Sequence, residues 1–504
     1  MNVPPRRNLF YRKQGPNIYR LFFLVIMILG GVWLIRKVDR GEIKPLFLPT
    51  FQPTRTSESY VMEGDAQFTA GNMDAAILAY QEAVKIDPNN AEVWSKLARI
   101  QTYSSALQTT DAAQRARLEE ALASAEKAVE LAPDDSTVHA IHAFALDWNA
   151  SPYLINPDPN QQAQGQKLLT QAEQAANQAV FLDSTNTLAL AYYAEILVDQ
   201  QKWTQAETNI QQAVKQDPTL MDVHRVYAYV LESFGDYNQA IQEYDTAIKI
   251  APNLTFLYLR AGANWRRLAF ASPNEETARQ LYEKSLEYFQ KAANINEQLK
   301  VQDPIPYLSI SKTYTQLGEF FVAALNVQKA LEFKPTDPDI YGQLGIIYFK
   351  ARNYETSIYS LKCATSGCSG EDSCKGRGLE ACTDKEPGVT VSGQDLSPGT
   401  VVYYYTYGSV LAALSRPQDN HCPEAMNVLG EVKAVYGSDP DIAGIVSAGE
   451  AICSSLGETA SSAPTAAAET TISPEATPSS EPSTFPIATE PPEVMLETTG
   501  TPSP

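Results

Sequence analysis

Basic residues are scarce in this sequence, which has 39 Lys and Arg against 59 Asp and Glu and a formal net charge of -20. A protein that binds nucleic acid by neutralising its phosphates needs a positively charged surface. We therefore expect no nucleic-acid partner and attribute the acidity to solubility.

Sequence signatures of catalysis and of cofactor binding are also missing. The chain has no Gly-rich phosphate loop, no nucleophile elbow and no convincing set of Ser, His and Asp. His139 and His142 are three residues apart on one expected helix and would suit a shared metal. However, His139 and His224 both occupy a position that holds Tyr or Trp in most of the repeated segments described below, so we interpret them as packing residues. We expect no enzymatic activity, no cofactor, no metal and no small-molecule substrate.

The chain has one long apolar run, residues 21–35 (LFFLVIMILGGVWLI), which contains no charged residue. With its flanks it approaches the roughly 20 residues that span a bilayer. We predict a transmembrane anchor over residues 18–38, preceded by a basic N-terminal tail, residues 1–17. A cleaved signal peptide is the alternative because the run is short and follows basic residues, although Arg36 and Lys37 stand where a cleavage site needs small side chains.

The orientation of this anchor follows from basic residues and cysteines. Five basic residues precede the run and four follow it closely, which barely favours a cytoplasmic N-terminus. All six cysteines lie far behind the run, and an even, clustered set is typical of an oxidising compartment. We predict a single-pass membrane protein with a cytoplasmic N-terminus and an extracytoplasmic remainder.

Small residues recur with a period of about 34 residues after the apolar run. The period is visible when residues 77–90 (ILAYQEAVKIDPNN) are aligned with residues 241–253 (IQEYDTAIKIAPN), and nine segments fit the pattern. Two helices that pack closely need small residues where their axes approach, and a proline then ends the unit. One of the three small positions reads Ala83, Ala128, Ala179, Ala213, Ala247, Ala292, Ala330 and Ala364, with Val432 in the ninth segment.

This period, with its small, aromatic and proline positions, resembles the tetratricopeptide repeat family over residues 57–456. The resemblance implies an all-α fold, a right-handed superhelical solenoid of about nine helical hairpins. It also implies a non-catalytic scaffold that binds partner proteins or peptides, without naming the partner.

Departures from the repeat divide the rest of the chain. We predict a stalk over residues 39–56, a cysteine-rich insertion over 365–399, a cap helix over 441–456 and a disordered tail rich in Pro, Ser, Thr and Glu over 457–504. The repeats are expected near residues 57–90, 91–135, 136–186, 187–220, 221–254, 255–303, 304–337, 338–370 and 400–440.

Two shorter departures lie inside repeats. Residues 151–162 (SPYLINPDPNQQ) carry three prolines, and we expect a loop there. Ser272, Pro273 and Asn274 are expected to stop one helix and to cap the next helix, which would start near Glu275.

The cysteines favour disulfides. Cys422 and Cys453 lie on two arms of 16 and 15 residues around a turn near Ser438, which would bring them level in an antiparallel hairpin. Two more bridges would form in one of three pairings among Cys363, Cys368, Cys374 and Cys382. A metal-binding or redox-active cysteine module is the alternative, but the sequence has neither paired Cys-x2-Cys knuckles nor a Cys-x-x-Cys redox motif.

The family resemblance also implies a binding groove on the inner surface of the superhelix, lined by the outward face of each first helix. Basic and apolar side chains on that face form a stripe suited to an acidic peptide or a C-terminal carboxylate. They are Arg225, Tyr229, Phe256, Leu259, Arg266, Arg267, Lys312, Ile346, Phe349, Lys350 and Tyr405. Asp222, Glu232 and Asp339 share the face, so ordinary mixed polarity is the alternative. The Lys and Asn pattern of co-chaperone members is not reproduced, and we expect no chaperone docking.

Overall fold

The computed structural model describes residues 17–40 and 55–461, which belong to two units. The first unit contains helix α1, Ile18–Asp39, and the second begins at Ser57 and contains every later helix. The predicted N-terminal tail, stalk and C-terminal tail fall almost entirely on residues 1–16, 41–54 and 462–504, outside the described residues. Within the described ranges no β-strand forms.

Helix α1 contains 22 residues and follows the apolar run. Its segment Ile18–Lys37 has a mean hydropathy of 2.3, and its large apolar side chains are exposed in this unit. The helix is long and apolar enough to cross a membrane, and a signal sequence near the N-terminus shares these features.

Within residues 57–461, the described part of the second unit, nine helical hairpins form, as the small-residue pattern predicts, and we number them repeats 1 to 9. Their helices are α2 Ser57–Ala70 and α3 Met73–Ile86, α4 Ala91–Ser105 and α5 Asp111–Leu131, α6 Ser136–Leu154 and α7 Pro159–Leu182, α8 Thr187–Asp199 and α9 Trp203–Gln216, α10 Met221–Ser233 and α11 Tyr237–Ile250, α12 Thr255–Ala271 and α13 Glu275–Leu299, α14 Ile305–Gln316 and α15 Phe320–Phe333, α16 Pro338–Lys350 and α17 Tyr354–Thr365, and α19 Val401–Leu414 and α20 Cys422–Tyr436. A short helix, α18 Gly370–Gly376, lies in the cysteine-rich insertion, and α21 Pro440–Ser461 follows repeat 9.

The small residues lie where the two helices of a hairpin touch. A Cβ atom added at Gly64 would lie 2.7 Å from the Tyr80 ring, and one added at Gly262 would lie 2.5 Å from the Phe289 ring. The alanine series is completely buried, as at Ala83. Close helix packing therefore explains why these positions exclude larger side chains.

One hydrogen bond joins successive repeats in five places. An aromatic or histidine side chain early in a first helix donates to the backbone carbonyl of the proline that closes the preceding repeat, over 2.8–3.2 Å. The donors and their prolines are Trp94 and Pro88, His139 and Pro133, His224 and Pro218, Tyr258 and Pro252, and Tyr341 and Pro335. These two histidines are thus used for joining repeats, in the position where other repeats use Tyr or Trp.

Repeat 3 differs from the loop predicted over residues 151–162. Helix α6 continues to Leu154, α7 begins at Pro159, and only four residues connect them. Pro152 lies near the end of α6, where it removes a single helical hydrogen bond, and Pro159 occupies the first turn of α7, where its missing N–H has no helical partner to lose. The loop prediction was wrong because it ignored these permitted positions. In repeat 6 the predicted stop and cap are confirmed, since the Asn274 side chain accepts from the Thr277 amide at the start of α13.

The solenoid coils so tightly that distant repeats touch. The Asn253 side chain donates to the Thr69 carbonyl at 3.1 Å, which joins the turn after repeat 5 to the C-terminal end of α2 in repeat 1. The Thr109 hydroxyl in repeat 2 likewise donates to Asp337 ahead of α16. These contacts bring the inner surfaces of the first helices together.

Candidate functional site: the inner face of the solenoid

The inner face is formed by the first helix of each repeat. In repeats 2 to 5, and at the start of α12 in repeat 6, this face is occupied by the protein's own side chains. The Tyr103 ring of α4 stacks on the Phe256 ring of α12 with 5.0 Å between their centres. The Phe144 ring of α6 stacks on the Tyr192 ring of α8 at 4.4 Å. Together with Trp148, these rings fill the space that an open groove would offer to a peptide.

Asp222 is the centre of the first buried polar group on this face. The Arg99 guanidinium donates to both of its carboxylate oxygens, one of them over 3.0 Å, and the hydroxyls of Tyr103 and Tyr192 also donate to it. Burial alone would raise the pKa of Asp222, but Arg99 and the hydroxyl donors lower that pKa to about 2. Asp222 is therefore ionised and fully paired.

A second ion pair lies beside it, between Arg225 of α10 and Glu195 of α8. The Arg225 Nη1 atom donates to Glu195 Oε1 at 2.8 Å, and its Nη2 atom donates to the other oxygen. The guanidinium lies 5.3 Å from the ring centres of Tyr103 and Phe144, a cation–π distance. Arg225 is 5% exposed. Its charge is thus directed at Glu195 and the aromatic rings of its own chain.

Two neighbouring carboxyl groups, Asp147 and Asp199, form the third polar group. The Tyr229 hydroxyl donates to Asp199 at 2.5 Å. Burial, with the nearby charge of Glu195, raises the pKa of Asp199 to about 7. Burial is the main cause that raises the pKa of Asp147 well above its usual value, and the negative charges of Asp199 and Glu195 add to it. Such a pair retains at least one proton near neutral pH.

Glu232 forms the fourth polar group, at the junction of repeats 5 and 6. It accepts hydrogen bonds from Arg260 and Asn264 of α12, and Arg267 Nη1 lies 3.4 Å from its Oε2 atom. A buried carboxylate with two guanidinium neighbours is compensated in charge. Asp222 and Glu232, two of the three acidic residues that the sequence places on the inner face, are therefore partners of basic residues.

Six of the predicted groove residues are buried by these and neighbouring contacts. They are Arg225, Tyr229, Phe256, Leu259, Arg266 and Tyr405. The sequence pattern places them on an open surface, whereas the structure places them in the interior, because the coil of the solenoid brings inner faces from different repeats into contact.

Five predicted groove residues remain half-buried, and we call this set the inner strip. They are Arg267, Lys312, Ile346, Phe349 and Lys350. The set spans α12, α14 and α16, the first helices of repeats 6 to 8. Phe349 also contacts the Tyr354 ring, with 5.8 Å between ring centres.

Sequence reasoning missed several residues of the buried half. Arg99, Tyr103, Trp148 and Glu195 lie on the same face of earlier first helices, but none was selected as an inner-face residue. The available signal was charge complementarity, because the first helices of repeats 2 to 6 together carry both Arg and Asp or Glu at this face. Only the tightness of the coil, which the sequence does not reveal, shows that they pair.

The six cysteines form three disulfides. Cys422 is bonded to Cys453 across α20 and α21, the pair expected from the two arm lengths. In the insertion the pairs are Cys363 with Cys368 and Cys374 with Cys382. These bonds consume every cysteine thiol of the chain. Across the residues that the structure describes, no group of three or more His, Cys, Asp or Glu side chains is arranged for a metal ion.

Stacked helical hairpins with an inner face built from the first helices define a helical-repeat scaffold. Two segments match sequence models of one family: residues 64–108 match the TPR repeat, and residues 193–255 match the tetratricopeptide repeat. The chain is a tetratricopeptide repeat protein, a fold that is typically a non-enzymatic scaffold for protein interactions. No curated protein sequence matches the chain.

Solved structures with similar folds share little sequence with the chain. A human IFIT1 dimer with PPP-AAAA is 15% identical, with a TM-score of 0.48, and the match covers 81% of this chain and 92% of that one. Yeast Tom70 is 13% identical, with a TM-score of 0.40, over 80% of this chain and 90% of that one. A thermophilic TPR protein of Thermus thermophilus, TTC0263, is 19% identical, with a TM-score of 0.33, over 42% of this chain and 98% of that one.

Proposed function

We propose that the protein is a membrane-anchored scaffold that binds a partner protein through the inner strip of repeats 6 to 8. The observation that supports this proposal is the contrast between the two halves of the inner face. In repeats 2 to 5 most inner-face side chains are buried, whereas the five side chains of the inner strip, three of them cationic and two apolar, stay partly accessible.

The chemistry of the inner strip suits an acidic segment that also carries apolar side chains. Arg and Lys side chains bind carboxylates, and Ile346 and Phe349 offer apolar contact. Asp339 shares this face and would weaken the attraction if it were fully charged. Burial raises the pKa of Asp339 to about 7, and Gln343 and Tyr403 donate hydrogen bonds to its carboxyl group. Its negative charge is therefore reduced near neutral pH.

Helix α1 is proposed as the anchor, with the N-terminus in the cytoplasm and the solenoid on the opposite side. The slight excess of basic residues before the helix supports this orientation. The three disulfides support an oxidising compartment for the solenoid.

Charge reversal on the inner strip tests the binding proposal. Wild type, Lys312→Glu with Lys350→Glu, and the control pair Lys284→Glu with Lys329→Glu are each crosslinked in intact membranes, and the captured proteins are quantified by mass spectrometry. The control lysines lie on second helices and give the same change in net charge. A partner that binds the inner strip is captured by wild type and by the control, and its yield falls at least about tenfold with the first variant. Equal loss in both variants, or in neither, would contradict the proposal.

The anchor is tested separately. We expect the intact mass of the mature chain to include residues 18–38. We also expect the solenoid to be protected from protease added on the cytoplasmic side. A mature chain that begins after residue 38 would show that α1 is a cleaved signal peptide, and cytoplasmic cleavage of the solenoid would reverse the orientation.

A further inference from the structure

A cleft of about 500 Å³ lies between the second helix of repeat 6 and the first helix of repeat 7. Its apolar floor consists of Leu286 on α13 with Ile310 and Tyr314 on α14. Gln290 reaches it from α13, on the same side as Leu286. Ile310 and Tyr314 are each two residues from Lys312, about 200° around the helix, so the cleft and the inner strip lie on opposite sides of α14.

The equivalent place one repeat later is filled by the chain itself. There the Gln328 Nε2 atom of α15 donates to the Arg377 carbonyl at 2.9 Å, and the Tyr348 hydroxyl of α16 lies 3.3 Å from the same oxygen. The next residue, Gly378, has a φ of +83° and lies so close to Tyr348 that an added Cβ would be 2.8 Å from its hydroxyl. The cysteine-rich insertion thus places a turn of backbone into the junction between repeats 7 and 8.

The two junctions carry the same pair of polar side chains at the same repeat positions. Gln290 and Gln328 each stand two residues before the buried alanine of the second helix, Ala292 and Ala330. Tyr314 and Tyr348 each stand three residues after the small residue of the next first helix. At the other six junctions these two positions never hold Gln with Tyr. In chain order they hold Gln81 and Gln101, Glu126 and Leu146, Asn177 and Leu197, Gln211 and Leu231, Asp245 and Trp265, and Lys362 and Leu411.

We propose that the cleft between α13 and α14 is a second binding site, which receives a backbone turn of a partner protein as the next junction receives the turn at Arg377. Gln290 and Tyr314 donate hydrogen bonds to one backbone carbonyl of the partner. Gln290 now donates to the neighbouring Asn294 side chain at 2.9 Å, an exposed contact that a ligand can replace.

The charges around the cleft identify the partner segment as basic. Glu283 and Glu287 line it, and they occupy the positions of Phe321 and Leu325 at the filled junction. Glu287 has an exposed ion pair with Lys284, and Glu283 has one with Arg279, both weak in water. Lys291 also lines the cleft, and its ammonium group lies over the Tyr288 ring. A turn with Lys or Arg beside glycine, like residues 375–378 (KGRG), complements the two carboxylates. Residues 462–504 contain no Lys or Arg, which makes this chain's own C-terminal tail a poor occupant.

Peptide titration of the full-length chain in detergent micelles tests this proposal. The probe is the capped peptide SSKGRGL, which is residues 373–379 with Cys374→Ser. Binding is followed by the NMR shift of the Ile310 δ1 methyl group, assigned with the Ile310→Val variant. We expect a saturable shift, and we expect Gln290→Ala with Tyr314→Phe to raise the Kd at least about tenfold by removing two hydrogen bonds. Gln211→Ala, at the same repeat position in α9, is the control and should leave the Kd unchanged.

Two further peptides test the chemistry of the occupant. The acidic peptide SSEGEGL should bind at least about tenfold more weakly than the basic probe. The tail peptide EPPEVMLETT, residues 490–499, should not shift the Ile310 methyl group. Absence of any shift with the basic probe, equal binding of the acidic peptide, or a Kd unaffected by the double variant would each overturn the proposal. Tighter binding of the tail peptide would overturn it in favour of an internal ligand.

Discussion

Arg99 in repeat 2 and Asp222 in repeat 5 form a salt bridge across 123 residues of sequence. Tetratricopeptide units ordinarily contact their neighbours in the stack. This bridge instead joins two repeats that are three units apart, in the interior of the coil.

Replacing Asp222 with Asn is expected to destabilise the protein by about 3 kcal/mol, because it leaves Arg99 beside a neutral partner in a buried site. The measurement is the urea-induced unfolding of the full chain. Glu82→Gln is the control, since the Lys85 and Glu82 pair is exposed and its loss should cost less than about 0.5 kcal/mol. Similar unfolding midpoints for the two variants would show that the bridge adds no stability.

Gly71→Ala is expected to open the contact between repeat 1 and the turn after repeat 5. Gly71 has a φ of +90°, and an added Cβ would lie 2.1 Å from the Asn253 carbonyl oxygen. Gly235 has a φ of +76° with no neighbour within 4 Å of its added Cβ, so Gly235→Ala isolates the backbone strain of about 1 kcal/mol. Gly71→Ala should lower the free energy of unfolding by at least about 2 kcal/mol more than Gly235→Ala does, and it should raise hydrogen exchange at Asn253. Equal costs for the two variants would contradict the close contact.

Removing the disulfide between Cys422 and Cys453 should cost more than removing the one between Cys374 and Cys382. The first bond closes a separation of 31 residues and the second closes one of 8. The loop-entropy relation gives about 3.7 kcal/mol for the first and about 2.5 kcal/mol for the second. One variant for each disulfide, with both of its cysteines replaced by alanine, is compared by thermal unfolding, which shows directly which loss of stability is larger. A reversed order would show that native packing outweighs loop entropy at these sites.

Asp339→Asn should reduce the pH dependence of stability between about pH 4 and pH 7. Burial, with the charges of Asp337 and Asp111, raises the pKa of Asp339 from 3.8 to about 7 in the folded state. The folded chain therefore binds a proton that the unfolded chain releases above pH 4. The contribution of this proton to the free energy of unfolding is complete below pH 4 and is lost as the pH rises to about 7. Between these pH values the free energy of unfolding falls with a slope approaching 1.4 kcal/mol per pH unit.

The measurement for Asp339→Asn is the unfolding free energy at a series of pH values. Asp441→Asn, on the exposed surface of α21, is the control and should leave the slope unchanged. A slope in Asp339→Asn equal to that of wild type would show that Asp339 does not hold this proton.

The hairpins could be predicted from the sequence because their determinants are local. Gly64 and Gly262 are small because a tyrosine or phenylalanine ring from the second helix lies against them, and Gly345 and Gly408 are small because a leucine of the second helix lies there. The same reasoning located the cap at Asn274. It failed at Pro152, where composition suggested a loop and the position near a helix end allowed a helix.

The inner face could not be predicted in the same way. The path of the coil depends on small rotations added over several repeats, and no single residue carries that information. The pattern of first helices placed Arg225 on this face, but only the coil shows that it lies between Glu195 and two aromatic rings. The pairing of the four insertion cysteines was open for a similar reason, because the loop has no repeat pattern to fix its path.

The coil of the solenoid also bears on the order in which the chain can complete its fold. Repeats 1 and 2 are synthesised first, yet Arg99, Tyr103 and Thr109 complete their contacts only when repeats 5 to 8 have formed. Until then, these side chains of repeat 2 remain partly uncovered. The emerging N-terminal half is thus an unfinished intermediate whose exposed surface invites association with other chains, and its protection depends on prompt synthesis of the second half.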